Sequence, residues 1–193
     1  MSDVGKDDRR AAVIAARRAV SVERRRAESE QLCGHLADAL GDARVVAAYV
    51  PVGTEPGEPV MLDALAERCD TVLLPVARTG PGGEHLPLRW GRYIAGELTG
   101  GRFGLREPAG PSLPPAALAD AEVVLVPALA VDRRGVRLGR GGGFYDRSLP
   151  LCANRTRLVA VVRDCEVVDR LPREEHDVPM THALTPGGFI PLG

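Results

Sequence analysis

The chain has 193 residues, 45% of them hydrophobic and 26% charged, with a formal net charge of −1, which suits a single globular domain over 1–193 with a substantial core. Near-neutral charge and only 4% aromatic residues argue against a polyanion-binding surface or a stacking platform, so nucleic acid is not an expected partner. No apolar run approaches a membrane span and the N-terminus is charged, so no membrane partner is expected. Cys33, Cys69, Cys152 and Cys165 have no paired or regular spacing, which fits reduced, mostly buried thiols in a cytoplasmic protein.

Residues from about Lys6 to Ala39 read as helix, with a break near Ser21, a residue suited to cap a second helix. Lys6, the only lysine in the chain, falls within about 40° of Arg10 and Arg17 at 100° per residue, with Val13 on the same stripe. By spacing alone this is a solvated basic face. On the second helix Leu32, Leu36, Ala39 and Leu40 have core spacing. The apolar run Arg44 to Val50 reads as a buried parallel strand ended by Pro51. Val60 to Glu67 reads as a helix with Leu62, Leu65 and Ala66 inward, and Thr71 to Val76 as a second buried strand.

Pro51-Val52-Gly53-Thr54-Glu55-Pro56-Gly57 lies at the carboxyl end of the first strand, where open α/β sheets form ligand crevices. Glu55 there is either a substrate contact or an ordinary loop carboxylate. Residues 77–115 are loop-rich; Leu86 to Trp90 reads as a short strand, Trp90 as a core residue, and the segment as a cover or an edge hairpin. Glu122 to Val126, Leu158 to Val162 and Glu166 to Val168 complete the strands, and Tyr145 to Leu151 reads as a short helix. His35 and His85 have no visible partner and read as surface histidines. His176 and Asp177 resemble a metal-ligand pair, although His182 is too far along for a single helical metal face. The alternation of strands and helices predicts an α/β fold, a three-layer α/β/α sandwich with a mainly parallel central sheet.

The distinctive stretch is Arg137-Leu138-Gly139-Arg140-Gly141-Gly142-Gly143-Phe144-Tyr145-Asp146-Arg147. Glycines without Cβ atoms let backbone amides converge on an anion. Arg137 and Arg140 place fixed positive charge beside them, and Asp146 could hold the metal ion that accompanies a nucleotide. A plain Gly-rich turn is the simpler alternative. The stretch is neither a Walker loop, since it has no lysine or hydroxyl residue, nor a dinucleotide fingerprint, since Phe144 stands where a glycine is required. There is no Gly-x-Ser-x-Gly elbow, no cysteine beside a histidine and no His-Glu-x-x-His, so a phosphate-and-metal site on an α/β sheet is what the motifs leave.

With its lead-in Val126-Pro127-Ala128-Leu129-Ala130-Val131-Asp132-Arg133-Arg134-Gly135, this stretch resembles the 5-formyltetrahydrofolate cyclo-ligase (methenyltetrahydrofolate synthetase) family. Three more blocks agree in order: Lys6-x-x-x-Arg10 with Arg18 and Ser21, Glu55 after the first strand, and the tail from Pro172 to Thr185. The resemblance implies an ATP- and Mg2+-dependent ligase that turns 5-formyltetrahydrofolate into 5,10-methenyltetrahydrofolate, ADP and phosphate by way of an N5-iminium phosphate. It further implies ATP contacts from Lys6, Arg10, Arg137, Leu138 and Arg140, with Gly139, Gly141, Gly142, Gly143, Phe144 and Tyr145 around the triphosphate. Val50 and Glu55 would contact the folate, as would Arg140, Gly141 to Gly143 and Phe144. Arg140 and Tyr145 would be catalytic, and Asp146 and Asp177 would bind the metal. Two departures from the family pattern stand out: Phe144 replaces the first tyrosine of the usual pair, and Pro56-Gly57-Glu58 lacks the hydroxyl residue common after the glutamate.

Overall fold

The computed structural model describes residues 5–174 and 177–193. In chain order it contains α1 (Lys6–Arg18), α2 (Val22–Gly34), α3 (Leu36–Leu40), β1 (Val45–Ala47), α4 (Pro59–Arg68), β2 (Thr71–Val76), β3 (Arg89–Arg92), β4 (Leu98–Gly100) and β5 (Arg106–Pro108). There follow β6 (Val123–Pro127), β7 (Ala130–Asp132), β8 (Arg137–Leu138), α5 (Phe144–Ser148), β9 (Arg157–Val161), β10 (Val167–Val168), β11 (His182–Thr185) and β12 (Gly188–Pro191). The break between the first two helices falls at Ser21, whose hydroxyl accepts the Arg24 amide at 3.2 Å and so satisfies one free N–H of the first turn of α2.

Among the described residues seven strands form the central sheet, in the order β12-β11-β9-β6-β1-β2-β3. The five inner strands run parallel, and β12 and β3 are antiparallel edges. Because side chains alternate along a strand, β6 serves both faces: Val123 and Leu125 pack with Leu32, Leu36 and Leu65 of the helices, while Val124 and Val126 pack with Trp90, Leu118 and Leu149 on the other side. The result is the expected three-layer α/β/α arrangement.

Several local expectations shift. The first strand is assigned over Val45–Ala47, shorter than the apolar run, with the Ala48 N–H still donating to the Leu73 carbonyl at 2.8 Å. The strand expected at Leu86 to Trp90 pairs at Arg89–Arg92 instead, with Leu86 exposed and Trp90 fully buried. On α4 Met61, not Ala66, joins Leu62 and Leu65 in the core. The four cysteines are free thiols, but only Cys69 is buried.

A second sheet, β10-β7-β8, carries the glycine stretch at its end. Leu129, Ala130, Val136, Leu138 and Leu171 there pack against Val13 and Ile14 of α1. Asp132, fully buried, holds the turn between β7 and β8 by accepting the amides of Arg134, Val136 and Leu171, each at 2.9 Å. Burial raises the affinity of this carboxyl for its proton. The hydrogen bonds from Leu171, Val136 and Arg134 outweigh that and hold it below the usual carboxylate range. Gly135 completes the turn with φ +83°, and a Cβ there would lie 2.2 Å from the Met180 carbonyl oxygen.

Arg17 corrects the simple picture of a basic helical stripe. Although it shares the face of Lys6 and Arg10, it is 1% exposed. Its Nε and Nη2 donate to the two Glu166 carboxylate oxygens at 2.7 Å, and Nη2 also donates to the Ala128 carbonyl at 2.7 Å. Glu166 in turn accepts the Arg163 amide at 2.8 Å, and Arg163 Nε donates to Glu28 at 2.7 Å. This buried chain of charges ties α1 and α2 to the segment after β9.

Candidate active site

Residues 139–143 leave β8 as four glycines around Arg140. Gly141 and Gly143 have φ +95° and +68°, the left-handed region that glycine enters freely, and a Cβ at Gly143 would meet Arg147 Nη1 at 2.3 Å. The stretch forms a wall between two cavities and lines both.

One cavity, of about 440 Å3, is lined mainly by apolar groups, including Pro75, Leu88, Leu105 and Leu129, with Val50 and Glu55 from the loop after β1. Two buried polar atoms on its lining residues, Tyr145 Oη and Arg17 Nη1, have no hydrogen-bond partner among the described residues. Burial, and then the Glu55 carboxylate, push the Tyr145 phenol above its ordinary range, so it stays a neutral O–H donor. Tyr49 is likewise kept neutral by burial and by Glu55, and its hydroxyl donates to the Pro56 carbonyl.

The other cavity, of about 470 Å3, is lined by Lys6, Arg10, Arg137, Leu138 and Arg147, together with Asp146, Glu174 and Asp177. Its cations come from α1, β8 and α5, and the packing of Val13 and Ile14 brings the first two together. Arg10 Nε donates to the Gly139 carbonyl at 3.0 Å. Lys6 Nζ lies 2.8 Å from Glu174 and 3.5 Å from Asp177. Arg137, only 7% exposed in its side chain, pairs with Asp146 and lies with its guanidinium carbon 5.8 Å from the Tyr145 ring centre.

The residues expected from the sequence thus gather at one place, with a division of labour. Val50, Glu55 and Arg140 line the apolar cavity alone, whereas Lys6, Arg10, Leu138 and Asp177 line the cationic one alone. Arg137, Gly139, Gly141 to Gly143 and Asp146 line both. Arg140 Nε donates to Glu55 at 2.9 Å, and Glu55 also accepts the Val52 amide at 2.9 Å. His176 lies outside the described residues.

Two participants escaped the sequence reading. His85, expected at the surface without a partner, hydrogen-bonds the Gly142 carbonyl and stacks on Phe144 with ring centres 4.1 Å apart. Phe103, on the covering segment, meets both rings edge-on and lines the apolar cavity. A single histidine in a Gly-rich loop carries no local signal of such a contact.

Comparisons with known proteins agree with this geometry. The family model described as the 5-formyltetrahydrofolate cyclo-ligase family matches residues 3–186. A 5-formyltetrahydrofolate cyclo-ligase of Mycolicibacterium smegmatis is 52% identical over 186 residues, 96% of each chain. One from Escherichia coli is 32% identical over 145 residues, 75% of this chain and 79% of that one. The solved structure of Aquifex aeolicus 5,10-methenyltetrahydrofolate synthetase superposes with a TM-score of 0.79 at 27% identity, covering 96% of this chain and 92% of that one. With near-complete coverage and a site built on the glycine stretch that first suggested the likeness, the chain belongs to the 5-formyltetrahydrofolate cyclo-ligase family.

Proposed function

We propose that the protein converts 5-formyltetrahydrofolate and ATP into 5,10-methenyltetrahydrofolate, ADP and phosphate. The observation that carries this reading is the shared glycine wall, with a mainly apolar cavity suited to a reduced folate on one side and a cationic cavity suited to a polyphosphate on the other. The formyl oxygen, a weak nucleophile, attacks the γ-phosphorus of ATP, and ADP leaves. N10 then attacks the activated formyl carbon and gives up its proton to solvent, the five-membered ring closes, and the former formyl oxygen departs within phosphate, a far better leaving group than hydroxide. Phosphoryl transfer asks mostly for alignment and for neutralisation of moving charge. Lys6, Arg10 and Arg137 supply fixed positive charge on the nucleotide side. Arg140 stands on the folate side of the wall, and neutral Tyr145 offers its unpartnered hydroxyl to the reacting oxygen.

Asp146 and Asp177 are hard oxygen donors on the nucleotide side, a set that fits Mg2+ held by one or two carboxylates plus phosphate oxygens. The ion, when bound, neutralises phosphate charge. The carboxylates orient it, and Arg137 holds Asp146 toward the site.

The test is the near-ultraviolet absorbance of the methenyl product after mixing protein, 5-formyltetrahydrofolate, Mg2+ and ATP. A rise that needs both ATP and Mg2+ is expected. No rise while calorimetry still detects ATP binding would overturn the folate as acceptor. In the same assay Asp146→Asn is expected to weaken the apparent Mg2+ affinity by about 10- to 100-fold with the melting temperature little changed; an unaltered Mg2+ dependence would remove Asp146 from the metal site. Lys6→Ala is expected to raise the KM for ATP roughly tenfold, the loss of one charge-assisted contact, and to leave the KM for folate alone. Equal activity at limiting ATP would show that α1 makes no phosphate contact.

A further inference from the structure

We infer that His85 is a positioning residue: by holding the Gly142 carbonyl, it turns the Gly142–Gly143 peptide so that the Gly143 N–H faces the phosphates of ATP. The inference rests on the nucleotide reading of the site given above.

The contact itself fixes a direction. A carbonyl oxygen only accepts, so His85 Nδ1 carries the hydrogen and donates it to Gly142. No peptide bond among the described residues is cis, and in a trans peptide the C=O and the next N–H point in opposite directions. His85 lines neither cavity, whereas Gly142 and Gly143 line both. A carbonyl drawn toward His85 therefore sends the Gly143 N–H away from it, into the wall shared by the cavities.

The peptide needs such a hold because both of its residues are glycine, and Gly143 sits at φ +68°, a region that glycine enters and leaves without steric cost. Flipped, the same peptide would present a carbonyl oxygen to a polyphosphate, and that is repulsive. Two neighbours are secured in the same manner. The Gly139 carbonyl accepts from Arg10 Nε at 3.0 Å, and the Gly143 carbonyl accepts from Arg147 Nη1 at 2.9 Å. The three carbonyls are thus each occupied by a side chain, one from α1, one from the covering segment and one from α5.

His85 is itself well held. It pairs with Thr79 across a tight loop closed by Gly80 N–H to Glu84 O at 2.9 Å and Leu86 N–H to Arg78 O at 3.1 Å. Its ring lies 15° from the plane of Phe144, and Phe103 sits beside both rings, 5.7 Å from the imidazole centre and 5.8 Å from that of Phe144. Phe144 is the residue that departs from the family's tyrosine, and its bare ring is the surface on which the imidazole stacks.

Two variants separate the donor from the stack. His85→Phe keeps a ring on Phe144 and deletes the N–H; His85→Asn keeps an amide donor near the place of Nδ1 and deletes the ring. Calorimetry with Mg2+–ATP and no folate is expected to show His85→Phe binding about tenfold more weakly, the loss of one oriented hydrogen bond, with His85→Asn close to the wild type. Folate affinity and melting temperature are expected to stay put in both. The Gly143 amide resonance, followed by NMR, is expected to move on ATP binding in the wild type and in His85→Asn but not in His85→Phe. ATP binding by His85→Phe equal to the wild type, or an unchanged Gly143 response in that variant, would overturn the inference alone. No ATP binding by the wild-type chain would overturn the nucleotide reading, and this inference with it.

Discussion

Arg140→Ala is expected to fold normally and to lose about 10³-fold in kcat, the lower end of what a transition-state arginine contributes to phosphoryl transfer. The fold survives because the side chain is half-exposed, and its pair with Glu55 is of a kind that contributes about 0–1 kcal/mol to stability. On the proposed mechanism the rate falls because Arg140, a cation lining the apolar cavity, would stand where the formyl oxygen meets the transferring phosphoryl group. Lys6, Arg10 and Arg137 still hold the polyphosphate, so the KM for ATP is expected to change much less than kcat. Arg140→Lys restores charge but not the planar fork that matches phosphate oxygens, and partial recovery is expected. Single-turnover formation of the methenyl product measures the step directly. A kcat near the wild-type value in Arg140→Ala would remove this residue from the chemistry.

The largest stability effect belongs to the buried pair behind the site. Glu166→Ala leaves the Arg17 guanidinium, 1% exposed, without its carboxylate, and breaking a buried pair from one side costs about 3–5 kcal/mol. For a chain of this size that lowers Tm by roughly 10 °C, at 2–4 °C per kcal/mol. Replacing both residues by methionine is expected to recover much of the loss, since no charge is then stranded. Calorimetric melting of Arg17→Met, Glu166→Met and the double variant gives the coupling. Additive losses would show that Arg17 and Glu166 do not depend on one another.

The parallel strands were legible because a strand buried on both faces must be apolar along its length, as Val123 to Val126 and Leu158 to Val162 are. The glycine stretch and its flanking Arg137, Arg140 and Asp146 were legible because that chemistry is written contiguously. Strands β7 and β8 were not, since ladders of two or three residues have little period to detect; of the second sheet only β10 was expected, within Glu166 to Val168. The closing hairpin of β11 and β12 is four residues a side across a tight Pro-Gly turn, too short for alternation to stand out from the tail around it. Arg17 misled for a physical reason: helical spacing places a residue on a face, but only the partner decides whether that face is wet. Glu166 lies 149 positions away. His85 is the same case in reverse, a residue whose role exists only once a distant loop folds against it.

The contact of Arg10 with Gly139 spans 129 positions, and Lys6 meets Asp177 later still. During synthesis α1 leaves the ribosome well before β8 and Asp177, which follow after a delay on the order of ten seconds at ordinary elongation rates. Until then the first helix has neither Glu166 for Arg17 nor the β8 surface for Val13 and Ile14. On the proposed nucleotide reading, a nascent chain cannot draw on ATP to steady a partly made fold, because the cationic cavity needs both α1 and Asp177.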